Sequence, residues 1–144
     1  MEETFRKREF TDAIRRARAC SPFLTFLLDS LPESAAALAA GDLDAAVVMA
    51  QDAGAAEDVM TAVRRERSAL ALALGIGDLA GALSLEEVVR PLSDLADCQL
   101  ERALAAAFAE RTPGLVFLKV DRAWDPIREH PKFRQLVAQI GFPG

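Results

Sequence analysis

A chain of 144 residues with 17 basic and 22 acidic side chains carries a net charge of −5, which argues against a nucleic-acid binder, since that function needs a broad basic face. Two cysteines and a single histidine, His130, are too few for a zinc site or a Cys/His catalytic pair, so the reading assigns no metal, no cofactor and no catalytic residue. Half of the residues are hydrophobic, but alanine dominates them and tyrosine is absent, which points to an all-α fold of closely packed helices.

The charged start MEETFRKREF is unlike a signal peptide, and no apolar run approaches membrane length, so the expectation is a cytoplasmic protein with Cys20 and Cys98 as buried, reduced thiols. Residues 3–19 read as an amphipathic helix whose Arg6, Lys7, Arg8, Arg15, Arg16 and Arg18 form a solvated face, with a local basic patch as the competing reading. Ser21-Pro22 is a helix start, with serine as cap and proline in the first turn, and Ser30 with Pro32 repeats the signal. Ala35–Ala40 continues to Gly41, which has the character of a left-handed C-cap.

Asp42 caps LDAAVVMAQDA, closed by Gly54. A longer helix is expected from about Ala56 to Leu74, ending at Gly75, with the RRERS of 64–68 facing water. Gly75, Gly77 and Gly81 lack the spacing, the preceding strand and the lysine of a phosphate-binding loop, so they read as a helix stop and turn. Ser84 and Glu87 form a capping box. The helix they start runs towards Arg111, with Val88, Val89, Leu92, Leu95, Leu100, Leu104 and Phe108 turned inward and a kink at Pro91. Thr112-Pro113-Gly114 ends it.

LVFLKV (115–120) is the single strand-like run, and without a partner it is read as an extended segment. Asp125-Pro126 and His130-Pro131 place a turn or capping residue before proline, and a final helix covers Lys132–Ile140, stopped by Gly141. The short connections favour five to seven helices in an antiparallel bundle over residues 1–112. Residues 113–144 add an extended segment and a short capping helix packed on the same domain.

SPFLTFLLDSLPE (21–33), the RRER of 64–67 with its alanine-leucine run, GDLAGALSLEEV (77–88) and LSDLADCQLERAL (92–104) occur in an order that resembles the N-terminal lead-in of glutamine synthetase adenylyltransferase. That resemblance implies a helical region preceding a nucleotidyltransferase domain, whose Gly-rich turn and strand-borne Asp-x-Asp hold metal and nucleotide. The Asp-x-Asp here, Asp42-Leu43-Asp44, lies at a helix cap, where residues two apart point to different faces. From Gly114 on, Trp124, Asp125, Pro126, Arg128, Pro131, Phe133, Gly141 and Pro143 are similar to the closing segment of bacterial tetratricopeptide-repeat proteins, although no repeat of about 34 residues precedes them. Two such pieces in one chain leave a recombined gene, a fragment and a designed sequence all open.

The candidate partner-binding residues are the acidic stripe Asp94, Asp97 and Glu101, at i, i+3 and i+7 of one helix, with Trp124 and Arg128 of the tail. Their competing reading is a solvated face and tail packing. The functional expectation is a non-catalytic interaction or regulatory module that binds a protein and neither nucleic acid nor membrane. Two alternatives stand beside it: a small acidic inhibitor of the antitoxin kind, masking a basic partner, and a remnant nucleotidyltransferase. The oligomeric state stays open.

Overall fold

The computed structural model describes residues 2–53, 58–109 and 117–140, with the side chains of Leu104, Phe108 and Trp124 among those outside the description. In the described residues the fold is a helical bundle without a strand. The helices are α1 (Glu2–Cys20), α2 (Pro22–Ser30), α3 (Pro32–Ala40), α4 (Leu43–Asp52), α5 (Val59–Leu79), α6 (Leu85–Ala109) and α7 (Pro131–Ile140). A 3-10 helix, Arg122–Ile127, lies before α7.

Local chemistry starts and stops most of these elements where expected. Ser21 accepts the Leu24 N–H at 3.2 Å and Pro22 opens α2. Gly41 ends α3 at φ 83°, donating to the Leu38 carbonyl while Asp42 N–H reaches Ala37, so two orphaned carbonyls are satisfied. Asp42 then turns to α4 and accepts the Ala45 N–H at 2.9 Å. The second proline start differs in detail. Leu31, not Ser30, occupies the cap of α3, and the Ser30 hydroxyl instead donates to the Phe26 carbonyl at 2.7 Å. Leu31 N–H still closes α2 on Leu27, so one residue serves two helix ends.

The glycine-rich stretch departs from expectation. Helix α5 does not stop at Gly75; it continues through Gly77 to Leu79 and turns at Gly81, whose φ is 69°. The reason is packing. A Cβ on Gly75 would sit 3.1 Å from Leu24 Cδ2, and one on Gly77 would sit 2.8 Å from Leu83 Cδ1 and 3.1 Å from Leu43 Cδ2. Both glycines let neighbouring leucines close on the helix, and tertiary contact outweighs their poor helix preference. The start of α5 is set by Asp58, whose carboxylate accepts from the N–H groups of Met60 and Thr61 at 3.0 and 3.2 Å. The expected start near Ala56 and the stop at Gly54 lie outside the described residues, as do Arg111, the 112–114 terminator, and Gly141.

The chain divides into two compact units, Met1–Leu100 and Glu101–Gly144. In the first, α5 packs against α1 to α4, and its Leu72, Ala73 and Ile76 join Phe10, Ala13, Ala17, Leu27, Leu28, Leu38, Leu43 and Ala46 in the main core. A smaller cluster of Ala50, Ala69, Leu70 and Leu74 receives Leu95 from α6. Arg16 of α1 donates to the Leu79 carbonyl at 2.5 Å and so covers the end of α5. Helices α2 and α3 meet at 104° and are together apolar, with Leu27, Leu28 and Leu38 in that core. No single helix among the described residues is long and apolar enough to cross a membrane.

Burial corrects three expectations. Cys20, at the last residue of α1, and Cys98, on the outer side of α6, are exposed free thiols. In the RRERS segment Arg64, Arg65 and Arg67 are exposed, but Glu66 is buried. Of the α6 residues expected to face inward, Val89, Leu92 and Leu100 are exposed, and Val88 and Leu95 are half-buried. The bundle needs one narrow edge of α6, so the wide apolar face of that helix is filled by the core along one side alone.

In the second unit, Leu118 and Phe133 are buried while Phe117 and Val120 are exposed. Of the strand-like run, residues 117–120 are described: 117–119 form a turn of 3-10 helix and Val120 lies in the turn that follows. Asp121, not Asp125, caps the next 3-10 helix by accepting the Ala123 N–H at 2.9 Å. His130 precedes Pro131 at the start of α7, and its carbonyl accepts the Arg134 N–H at 3.1 Å.

Candidate functional site

Helix α6 begins with a closed capping box. Ser84 N–H and the Ser84 hydroxyl donate to Glu87 Oε2 at 2.8 and 2.7 Å, and Glu87 N–H returns a bond to Ser84 Oγ at 3.3 Å. These two Ser84 donors hold the Glu87 carboxyl below its ordinary value. Glu86 pairs with Arg90 one turn on. The helix then passes through Pro91 without ending. Gln99 Nε2 donates to the Val63 carbonyl at 2.9 Å and, with Leu95 in the smaller cluster, ties α6 to α5.

The acidic stripe Asp94, Asp97 and Glu101 is exposed along α6, and the boundary between the two units falls within it, after Leu100. Among the described residues no group of three or more His, Cys, Asp or Glu side chains gathers as metal ligands would. A different feature of α6 was hidden from sequence reading. Leu85, Val89, Leu92 and Leu100 are 80%, 50%, 41% and 53% exposed. At about 100° per residue they share one side of the helix with Ala96, beside the edge where Leu95 and Gln99 meet the bundle. The sequence did carry the signal: the apolar positions of α6 span a wider arc than one packing seam requires.

The residues of the tail behave differently. The 3-10 backbone includes Trp124, whose side chain lies outside the description. Arg128 is half-buried and works as a clamp. Its guanidinium donates to the Lys119 carbonyl, to the Asp121 carbonyl at 2.9 Å, and to Asp125 Oδ1 at 2.9 Å. It therefore joins the 117–121 turn to the 3-10 helix. Beside it a shallow depression of about 470 Å³ is lined by Leu118, Phe133, Val137 and Ala138 with Lys119 and Arg134 at its edge. Arg134 pairs with Glu129.

The Asp-x-Asp at the head of α4 is committed locally. Asp42 caps the helix, Leu43 between the two acids is buried in the core, and Asp44 is exposed in the first turn. Gly41 and α3 precede it, with no strand.

The model of the glutamate-ammonia ligase adenylyltransferase family matches residues 11–121. The chain belongs to this family. The adenylyltransferase match opens in α1, takes in every helix of the first unit, and closes at Asp121, the cap of the 3-10 helix. It thus continues past Arg111 into the opening part of the tail. No curated protein and no solved structure matches the chain.

Proposed function

We propose that this adenylyltransferase-family chain acts as a non-catalytic interaction module that presents α6 to a protein partner. One observation carries the reading: four large apolar side chains of α6 stand exposed side by side, on a helix that the bundle holds in place through Leu95 and Gln99. Contiguous exposed apolar surface on a positioned element marks a contact site. Glutamate-ammonia ligase, the protein that the family name says is acted on, is the first partner to test.

The family name describes an enzyme, so a nucleotidyl-transfer remnant is the competing reading. The local commitment of Asp42 to the α4 cap favours the non-catalytic one, because a capping carboxylate is turned back on its own helix. The test incubates the purified chain with glutamate-ammonia ligase, ATP and magnesium and follows the ligase by intact mass. The expected result is co-elution of the two proteins with no added adenylyl group. Transfer of the group would establish the enzymatic reading instead.

A further inference from the structure

Every helix from α1 to α5 sends at least two side chains into the interior, from Phe10 and Ala13 of α1 to Leu72 and Ile76 of α5. From Ser84 to Asp94 no side chain is buried; Val88 and Pro91 are half-buried and the others are exposed. The two ends of this stretch are nevertheless held. Leu83 packs on both apolar clusters and against the bare face of Gly77, where a Cβ would come within 2.8 Å of its Cδ1. Leu95 joins the smaller cluster, and Gln99 bonds the Val63 carbonyl. Among the described residues, the side-chain bonds between these anchors stay within the stretch: the box of Ser84 and Glu87, and the pair of Glu86 and Arg90. We infer that residues 84–94 form a strap that unwinds and rewinds by itself while α1 to α5 stay folded.

A helical stretch of about ten residues gains little from its own backbone, and most helices owe their stability to a buried face. This one lacks such a face, and Pro91 has no N–H to offer the Glu87 carbonyl. The capping box is its latch, worth about fivefold in the local equilibrium. Stretches with few buried contacts open at a free energy below that of global unfolding. Wound, the strap lines up Leu85, Val89 and Leu92 on the exposed side of α6; unwound, it disperses them. Winding therefore switches that surface, in a molecule whose strap is closed most of the time. The opening is a property of the chain itself and stands apart from the identity of any partner.

The test is amide hydrogen exchange of the full chain, followed residue by residue by NMR in a urea series below the unfolding transition. Relative to intrinsic rates, Val88 to Asp94 (Pro91 apart) should exchange about a hundredfold faster or more than Leu70 to Ile76 of α5. Strap rates should hardly change with urea while those of α5 climb, because the strap exposes little new surface. Leu72→Ala should speed the α5 amides about tenfold or more and leave the strap within about twofold, since the strap opens without the core. Glu87→Ala should speed the strap about fivefold. Strap amides that share the urea dependence of α5, or that accelerate with it in Leu72→Ala, overturn the inference. So do strap amides with no protection, since the segment would then not be wound. An unchanged strap in Glu87→Ala overturns it as well, since the box would then not be the latch. The urea series on the parent chain decides the point even where Leu72→Ala fails to fold.

Discussion

Two carboxylates, Asp58 and Glu87, each hold the first turn of a long helix and stand below their ordinary values of 3.8 and 4.5. For Asp58 the causes are the Thr61 hydroxyl and N–H first, then the Met60 N–H and the Arg64 charge; for Glu87 they are the N–H and hydroxyl of Ser84. A lowered folded value means that the charged caps stabilise fully above the unfolded values and lose that effect as pH falls through the folded ones. Thermal melts should therefore show Asp58→Ala and Glu87→Ala below the parent by a constant margin from about pH 7 to about pH 5, closing below about pH 4. A margin that persists into acid would mean the carboxylates act through packing. Gly41 tests backbone geometry. Its φ of 83° and the Lys7 backbone, 3.3 Å from where a Cβ would sit, make Gly41→Ala costly, by about 1–2 kcal/mol or more in urea unfolding. Gly77→Ala should cost less, because it meets the flexible ends of Leu83 and Leu43 and gains about 1 kcal/mol of helix preference.

Helix boundaries were legible wherever a side chain reaches its own backbone. Ser21, Asp42, Ser84 with Glu87, and Gly41 all act within four residues of themselves, so sequence spacing carries their geometry. The end of α5 was illegible because Gly75 and Gly77 answer to Leu24, Leu43 and Leu83, which lie elsewhere in the chain. The apolar positions of α6 were legible, but not which of them the bundle uses; that depends on where α5 places Leu70 and Leu74. Pro91 sits in the interior of α6, where it lacks the N–H that would bond the Glu87 carbonyl. Replacing it with alanine should raise stability by about 1–3 kcal/mol, read as a higher urea midpoint. Substitutions on the two sides of the bundle should separate as well. Leu72→Ala, in the main core, should cost about 2–5 kcal/mol. Leu92→Glu, on the exposed stripe, should stay within about 0.5 kcal/mol of the parent.

At the scale of the whole molecule, alanine content, short connections and repeated caps were enough to foresee an all-helical bundle. Family membership was legible from four patches in order, and the matched span of 11–121 extends that likeness into the opening of the tail. The candidate site was less legible. Asp94, Asp97 and Glu101 are exposed as charge patterning implies, whereas Arg128 serves as an internal clamp because three acceptors, Lys119, Asp121 and Asp125, converge on it through the folded turn. The central claim is that this chain contributes a binding face and no nucleotide chemistry of its own. A ligand that binds the folded state must stabilise it by mass action, by about 2.7 kcal/mol at a hundredfold excess over its dissociation constant, and so raise its melting temperature. Thermal unfolding of the full chain in ATP and magnesium at rising concentration therefore tests the claim most directly. The account predicts an unchanged midpoint up to millimolar nucleotide, and a midpoint that climbs steadily with nucleotide concentration would contradict it.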